Sequence, residues 1–159
     1  MNSERAAVHF DLSAVSPAVT VTGCLLTVTV RQVTAPTAGR VLRLRRSDWS
    51  ETGSTWNAYK TGASWTAPGA GSTVSDVDIT AAVPFAPPSA LGAYTFPSLQ
   101  RLCQDAVTNR GRVLDLLIRQ DVDQDGACSG ACVSHEFCSY ASDVTTPAWR
   151  PRLVVGYLP

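Results

Sequence analysis

The stretch VTVTGCLLTVTV, from Val19 to Val30, decides the fold class. Valine and threonine alternate at both of its ends, and β-branched residues at alternate positions are typical of a half-buried strand. The glycine in the middle, Gly23, interrupts this alternation and predicts a bulge or a kink. We therefore predict one long, irregular strand in an all-β domain.

The same pattern continues on both sides of this strand. AAVHFDL (6–12), STVSDVDIT (72–80) and PRLVVGYL (151–158) are further strand candidates. RVLRLRR (40–46) alternates, with Val41, Arg43 and Arg45 on one face. RVLDLLIRQD (112–121) is a denser apolar run and predicts a central strand.

Helix signals are weak, and turn residues are frequent. The best helix candidate is SLQRLCQDAV, where Ser98 caps one to two turns that end near Val107. Ten prolines and eleven glycines punctuate the strands, with longer loops expected near 61–73, 84–97 and 121–137. We predict a single domain over residues 1–159: an all-β, jelly-roll β-sandwich of antiparallel strands with at most one or two short helices.

Charge and hydropathy exclude two classes of partner. Thirteen basic and thirteen acidic residues cancel, and no basic stripe points to nucleic acid. No apolar run reaches the roughly 18 residues that cross a membrane. The opening MNSERAAVHF lacks the cationic and apolar segments of a secretion signal. This indicates either use without that export route or a start after a cleaved segment.

Tryptophans are the candidate contacts for a glycan or a partner protein. Trp49 and Trp56 lie among small hydroxyl residues in SDWSETGSTWN (47–57). Indole faces stack on sugars, but the same segment suits a structural corner with both rings inward, which is the favoured interpretation. Trp65, in a loop rich in glycine and alanine, is the better candidate for an exposed aromatic contact.

The segment DVDQDG (121–126) suggests a calcium loop. Oxygen ligands at alternate positions followed by glycine resemble the first half of such a loop, which would use Asp121, Asp123 and Asp125. Cys132 occupies the twelfth position, where a bidentate acid is expected. Aspartate and glycine also form ordinary turns. Calcium is therefore the candidate cofactor, and the turn interpretation stays open beside it.

Five cysteines leave an odd thiol, and the favoured chemistry is disulfide formation. Within the cysteine-rich loop the simplest pairings are Cys128–Cys132 and Cys128–Cys138, because zinc would need more closely repeated ligands. Cys103 can pair with Cys138 or with Cys24, which is otherwise a small core residue. The remaining cysteine could cross-link subunits outside the cell.

Catalysis is not expected. His9 lies mid-strand and is predicted to be packed, and no Gly-x-Ser-x-Gly signature precedes His135. Asp76 and Asp78 share a strand face, as a pair of glycosidase acids would, but such acids are usually solvated or paired with arginine.

Four segments in order carry a family resemblance: RAAVHFDLSAV (5–15), DWSETGSTWN (48–57), VDITAAV (77–83) and RPRLVVGY (150–157). Together they resemble the DNRLRE-type β-sandwich modules, which are similar to alginate-binding-type carbohydrate-binding modules. The resemblance implies a non-catalytic module of secreted surface proteins or phage virion proteins. Arg5 lies almost at the start, whereas the family carries a further strand before this position; either a neighbouring subunit supplies that strand, or the start codon is mis-assigned.

The resemblance leads to two functional expectations. A sandwich with an uncovered edge invites pairing with another chain. We therefore expect a structural or adhesion module of an extracellular multi-subunit particle, with a phage virion component such as a capsid decoration, fibre or tail protein as the favoured case. Its partners would be copies of itself or other subunits. The alternative is a polysaccharide-binding module of a secreted or cell-surface protein.

Overall fold

The computed structural model describes residues 5–121 and 136–159. Ten strands, one α-helix and one 3-10 turn follow each other along these ranges. The strands and the helix, in chain order, are β1 Ala6–Asp11, β2 Thr20–Thr34, β3 Gly39–Leu44, β4 Ala58–Lys60, β5 Ala63–Ser64, β6 Val77–Phe85, β7 Gly92–Thr95, α1 Gln100–Asn109, β8 Val113–Gln120, β9 Glu136–Ser139 and β10 Arg152–Leu158; the 3-10 turn is Pro147–Trp149.

The main strands form two antiparallel sheets that face each other. Sheet A has the order β1-β8-β3-β6, and sheet B has the order β10-β2-β7 with β9 also paired to β2. A small hairpin, β4-β5, lies apart from both. The neighbours in sheet A are far apart in sequence, which is the arrangement of a jelly roll rather than of a meander. The predicted all-β sandwich is confirmed, and β8 is an interior strand as its apolar run indicates.

Strand β2 is the long, bulged strand that its sequence predicts. Val21, Cys24, Leu26, Val28 and Val30 are buried, while the residues between them are exposed or half-buried. The ladder to β10 shifts register next to Gly23. The bulge returns the apolar residues on both of its sides to the inner face, so the core stays continuous along the whole strand.

Helix α1 closes one end of the sandwich. Its inward face carries Leu102, Cys103, Ala106 and Val107, all buried. The Gln104 side chain ties the helix to β2: its Oε1 accepts the Val21 N–H (2.7 Å) and its Nε2 donates to the Val19 carbonyl (3.2 Å). Within the described ranges, no helix has the length and apolarity that a membrane span requires.

Strands β9 and β10 occupy successive parts of the same side of β2. Val30 pairs with Ser139 of β9, and Thr27 pairs with Arg152 of β10, while β7 lies on the opposite side of both residues. The chain between β9 and β10, residues 140–151, therefore bulges out from this side of sheet B. The predicted loop at 84–97 was partly wrong, because it contains the short strand β7.

Candidate functional site

A cleft of about 470 Å³ with apolar and polar walls lies on the open side of the sandwich. One wall is β1, and the other is the segment between β9 and β10. Core residues from both sheets reach its interior, including Val28 and Ile118. Polar and aromatic side chains on the rim are His9, Trp49, Glu51, Tyr140, Ser142 and Arg150.

Asp115 organises one wall of this cleft. The ladder between β1 and β8 places Asp115 directly opposite His9, so both side chains lie on the same face of sheet A. One oxygen, Oδ1, lies 2.8 Å from His9 Nδ1 and accepts the indole N–H of Trp49 at 2.8 Å. Asp115 is 4% exposed, and these two partners satisfy it away from water.

This contact gives His9 a defined role at the rim. A carboxylate is an acceptor, so a hydrogen bond between these two groups is donated by His9 Nδ1. The His9 side chain is 50% exposed although its strand neighbours Val8 and Phe10 pack on the core. The expectation of a packed mid-strand histidine was therefore wrong: His9 lines the cleft.

The opposite wall is built by the segment between β9 and β10. Tyr140 stacks on Trp149 with ring centroids 4.8 Å apart. The Ser142 hydroxyl donates to Glu51, which joins this wall to the segment that carries Trp49. Arg150 Nε donates to the Val144 carbonyl at 3.0 Å. The cleft is thus bordered by one acid, one permanent cation and one titratable imidazole.

The structure separates the three predicted tryptophans. Trp49 borders the cleft, and Trp56 lies under the guanidinium of Arg5, whose Cζ is 4.8 Å from the ring centroid. Trp65 is buried at 8% exposure, so its expected exposure was wrong. Its indole N–H donates to the Thr55 carbonyl at 3.1 Å, and its ring contacts Tyr59 at 5.6 Å. Trp65 belongs to a second apolar cluster on the outer face of sheet A.

The loop around Trp65 is held by a buried carboxylate. Asp76 is fully buried and accepts backbone N–H groups from Thr66 (3.1 Å), Ala67 (3.0 Å) and Ser72 (3.2 Å). Burial, the largest single influence, raises the pKa of Asp76, but these hydrogen bonds together outweigh it and lower the pKa below the ordinary carboxyl value.

Gly69 fixes the path of the same loop. Its φ is +68°, in the left-handed region, and a Cβ there would lie 2.6 Å from the Trp56 ring. The predicted loop near 61–73 is thus a folded cover over sheet A.

Arg43 forms the buried charge cluster of the fold. Its guanidinium contacts Asp78 of β6 and Asp105 of α1, and Arg45 lies 3.5 Å from Asp78. Bonds from Thr80 are the largest influence that lowers the pKa of Asp78, aided by the two arginines. Asp78 is therefore a structural ion-pair partner, as expected for an acid on this face, and Asp76 lies in a different environment.

The predicted calcium ligands fall mostly outside the described residues. Asp121 is described: its Oδ1 lies 3.2 Å from Arg40 Nε, and its N–H donates to the Ala38 carbonyl at 2.8 Å. Asp123 and Asp125 lie outside the described residues. The calcium site stays a prediction.

The cysteines resolve one of the open pairings. Cys24 of β2 and Cys103 of α1 form a disulfide with Cα atoms 6.3 Å apart, and both residues are fully buried. Of the two partners predicted for Cys103, Cys24 is therefore confirmed, and both cysteines also belong to the apolar core. Cys138 lies in β9 opposite Gln32. Cys128 and Cys132 lie outside the described residues, so their pairings stay predictions.

Sequence reasoning missed several residues of the cleft. Tyr140 and Arg150 follow no strand pattern, and only the pairing of β9 and β10 with the same side of β2 brings them opposite β1. The pairing of His9 with Asp115 links positions 106 residues apart, which no local spacing reveals.

Comparison of the chain with protein-family models, with curated proteins and with solved structures finds no match.

Proposed function

We propose that this protein is a non-catalytic structural or adhesion module that acts as a subunit of an extracellular multi-subunit particle, with a phage virion component as the best candidate. The observation that carries the proposal is the open side of the sandwich. There, core residues of both sheets line a cleft beside β1, which ends sheet A in the part of the chain that the structure describes. An open sheet edge beside accessible apolar surface is typical of a surface that another chain covers.

The disulfide supports the extracellular part of the proposal. Cys24 and Cys103 join β2 to α1 within the buried core. Structural disulfides persist in secreted proteins and on virion surfaces, whereas cytosolic thiols are kept reduced. A covalent link of this kind also suits a particle that must survive outside a cell.

Assembly is tested by measuring the mass of the purified chain in solution. We expect size-exclusion chromatography with light scattering to give a multiple of the 16.9 kDa chain mass over a range of concentrations. A monomer at every concentration, with and without calcium, contradicts the subunit role. Its localisation is tested separately by immunogold labelling of purified particles.

A carbohydrate-binding module is the second candidate, and the walls of the cleft favour it. Trp49 and Tyr140 provide aromatic surface on opposite walls, and His9, Glu51 and Arg150 provide hydrogen-bonding groups between them. Aromatic surface with a few convergent polar groups is what sugar rings bind. The cleft volume of about 470 Å³ lies within the range of small-ligand sites.

A glycan array separates this candidate from the subunit role. The matched pair of variants is Arg150→Gln, at the cleft, and Arg101→Gln, on the exposed side of α1. If the module binds a glycan in the cleft, Tyr140→Ala and Arg150→Gln lose the array signal while Arg101→Gln keeps it. Signal that is absent in the wild-type chain, or equal in all variants, argues against a saccharide site in this cleft.

A further inference from the structure

Asp115 borders a second, smaller pocket that is separate from the cleft. The volume of this pocket is about 170 Å³, below the roughly 300 to 1,000 Å³ of sites for drug-sized ligands, so its occupant has to be small. We call it the arginine pocket, because three guanidinium groups border it. The polar residues in its wall are Arg43, Arg45, Ser47, Arg110 and Asp115.

The arginine pocket lies where two strands of sheet A separate. The ladder between β3 and β8 ends at the pair Arg43 and Leu116, although β8 continues to Val113 in its pairing with β1. Beyond that pair the two chains leave a gap. Arg110, which follows α1, also borders this gap, so the arginines come from two different parts of the chain.

The three arginines carry more charge than their acidic partners neutralise. Arg43 contacts both Asp78 and Asp105. Arg45 lies 3.5 Å from Asp78, and Arg110 Nε donates to Asp105 at 3.2 Å. Three cations therefore share two carboxylates, which leaves one positive charge over. Within the described ranges, the Arg110 side chain donates through Nε alone, so its two Nη groups are available to an acceptor.

Asp115 adds one carboxylate oxygen to the same pocket. Its Oδ1 is occupied by His9 Nδ1 and by the Trp49 indole N–H, both at 2.8 Å. Its Oδ2 accepts no hydrogen bond from the residues that the structure describes, and His9 is its one ion-pair partner among them. Asp115 is 4% exposed, and a buried carboxylate oxygen of this kind calls for a donor. The described chain does not supply that donor.

Guanidinium donors and an unpaired carboxylate oxygen together define the occupant. Guanidinium groups bind the oxygens of phosphate, sulfate and carboxylate groups. The charge of Asp115 repels an anion that has no proton, but its oxygen accepts a hydrogen bond from an anion that still carries one. Inorganic phosphate keeps at least one proton at neutral pH, whereas sulfate has none. A phosphate monoester has lost its last proton at neutral pH, because its second pKa is about 6.

We propose that the arginine pocket binds a free hydrogen phosphate ion, whose oxygens accept hydrogen bonds from Arg45 and Arg110 and whose O–H donates to Asp115 Oδ2. Arg43 stays paired with its two acids and adds positive charge to the wall. This site goes beyond the proposed module role. It uses no residue of the cleft wall, and its test is independent of whether the chain assembles.

Calorimetric titration of the full chain with three probes tests the chemistry of the site. The probes are sodium phosphate, sodium sulfate and glycerol 1-phosphate, all at about pH 7.5, where the monoester carries no proton. We expect phosphate to bind roughly 10- to 100-fold more tightly than the other two, since they lack the charge-assisted hydrogen bond to Asp115. Sulfate or glycerol 1-phosphate binding as tightly as phosphate overturns the proposal, and so does a chain that binds no phosphate.

A matched pair of arginine variants locates the site. Arg110→Gln removes a guanidinium from the pocket, whereas Arg101→Gln removes one from the exposed side of α1. We expect the phosphate affinity to fall about 10-fold in Arg110→Gln and to stay unchanged in Arg101→Gln. Equal losses in the two variants mean that phosphate responds only to net charge, which contradicts a defined site.

Asp115→Asn tests the selectivity and covers the case in which Arg110→Gln is unstable. The asparagine oxygen still accepts from His9 and Trp49, and the amide N–H₂ takes the place of Oδ2. This N–H₂ donates to any oxyanion, so the preference for phosphate over sulfate should disappear. A preference that survives in Asp115→Asn removes Asp115 from the site and overturns the proposal.

Discussion

The disulfide between Cys24 and Cys103 should supply a large share of the conformational stability. It closes a loop with a sequence separation of 79 residues. In the chain-entropy description, a loop of that length removes roughly 4.5 kcal/mol of unfolded-state freedom at 25 °C. Removing a native disulfide typically lowers the free energy of unfolding by about 2 to 5 kcal/mol. The chain-entropy value therefore lies near the upper end of that range.

The perturbation is replacement of one or both cysteines by alanine. Cys24→Ala and Cys103→Ala each break the same bond, so the double variant should be about as unstable as either single variant. With a urea dependence of roughly 2 kcal/mol per molar, the unfolding midpoint should fall by about 1 to 2 M. The slope should rise, because an uncrosslinked chain exposes more surface on unfolding.

The assay is urea unfolding followed by tryptophan fluorescence and by circular dichroism, with the wild type under oxidising conditions as the reference. Fluorescence reports the buried Trp65, and circular dichroism reports the sheets. Two results refute the reasoning. One is a double variant with the wild-type midpoint, and the other is additive losses in the two single variants, which would mean that the cysteines act separately.

Three further predictions concern buried charge and backbone strain. Arg43→Met should lower the free energy of unfolding by at most about 3 to 5 kcal/mol, because the buried Arg43 is lost while Asp78 keeps Arg45 and Asp105 keeps Arg110; a loss as small as that of a surface arginine contradicts the cluster. Gly69→Ala should cost about 1 to 3 kcal/mol through its positive φ and the indole above it, so an unchanged melting temperature counts against the loop geometry. The pKa values of Asp76, Asp78 and Asp105 are lowered in the folded state, so their contribution is complete above the unfolded carboxyl pKa and is lost as the pH falls below about 4. Melting temperatures between pH 7 and pH 2 check this, and Asp76→Asn should flatten the acid limb of the curve.

Much of the fold follows from residue patterns, because strands are local. Periodicity in the sequence predicts the Val/Thr alternation of β2 and the bulge next to Gly23. The dense apolar run of β8 predicts its interior position. The position of the helix was predicted close to its observed range, Gln100–Asn109, since its apolar residues recur at helical spacing, but the predicted cap was wrong, because the N-cap is Leu99 and not Ser98. Short strands such as β7 escape this reasoning, because four residues beside a glycine do not establish a period.

The cleft depends on contacts that have no local signature. In the sequence, His9 has the features of an ordinary strand residue. Its contact with Asp115 exists only because β1 pairs with β8. The small neighbours of Trp65 predict an exposed side chain. In the structure, hydrogen bonds from the loop to Asp76 hold that loop against sheet A, and Trp65 is buried. A buried acid that satisfies three backbone amides looks identical in sequence to an acid at a solvated turn. Tertiary pairing, rather than propensity, decides these positions.

The strand order of sheet A has a consequence for how the chain acquires its shape. Strand β1 rests on β8, whose residues lie more than a hundred positions later, as the 106-residue separation of His9 and Asp115 shows. During synthesis the first strand must wait for most of the polypeptide before its neighbour emerges. Topologies dominated by such distant pairings fold in milliseconds to seconds rather than microseconds. A nascent chain halted before β8 would therefore hold β1 without its ladder, and the native sandwich would form late and all at once.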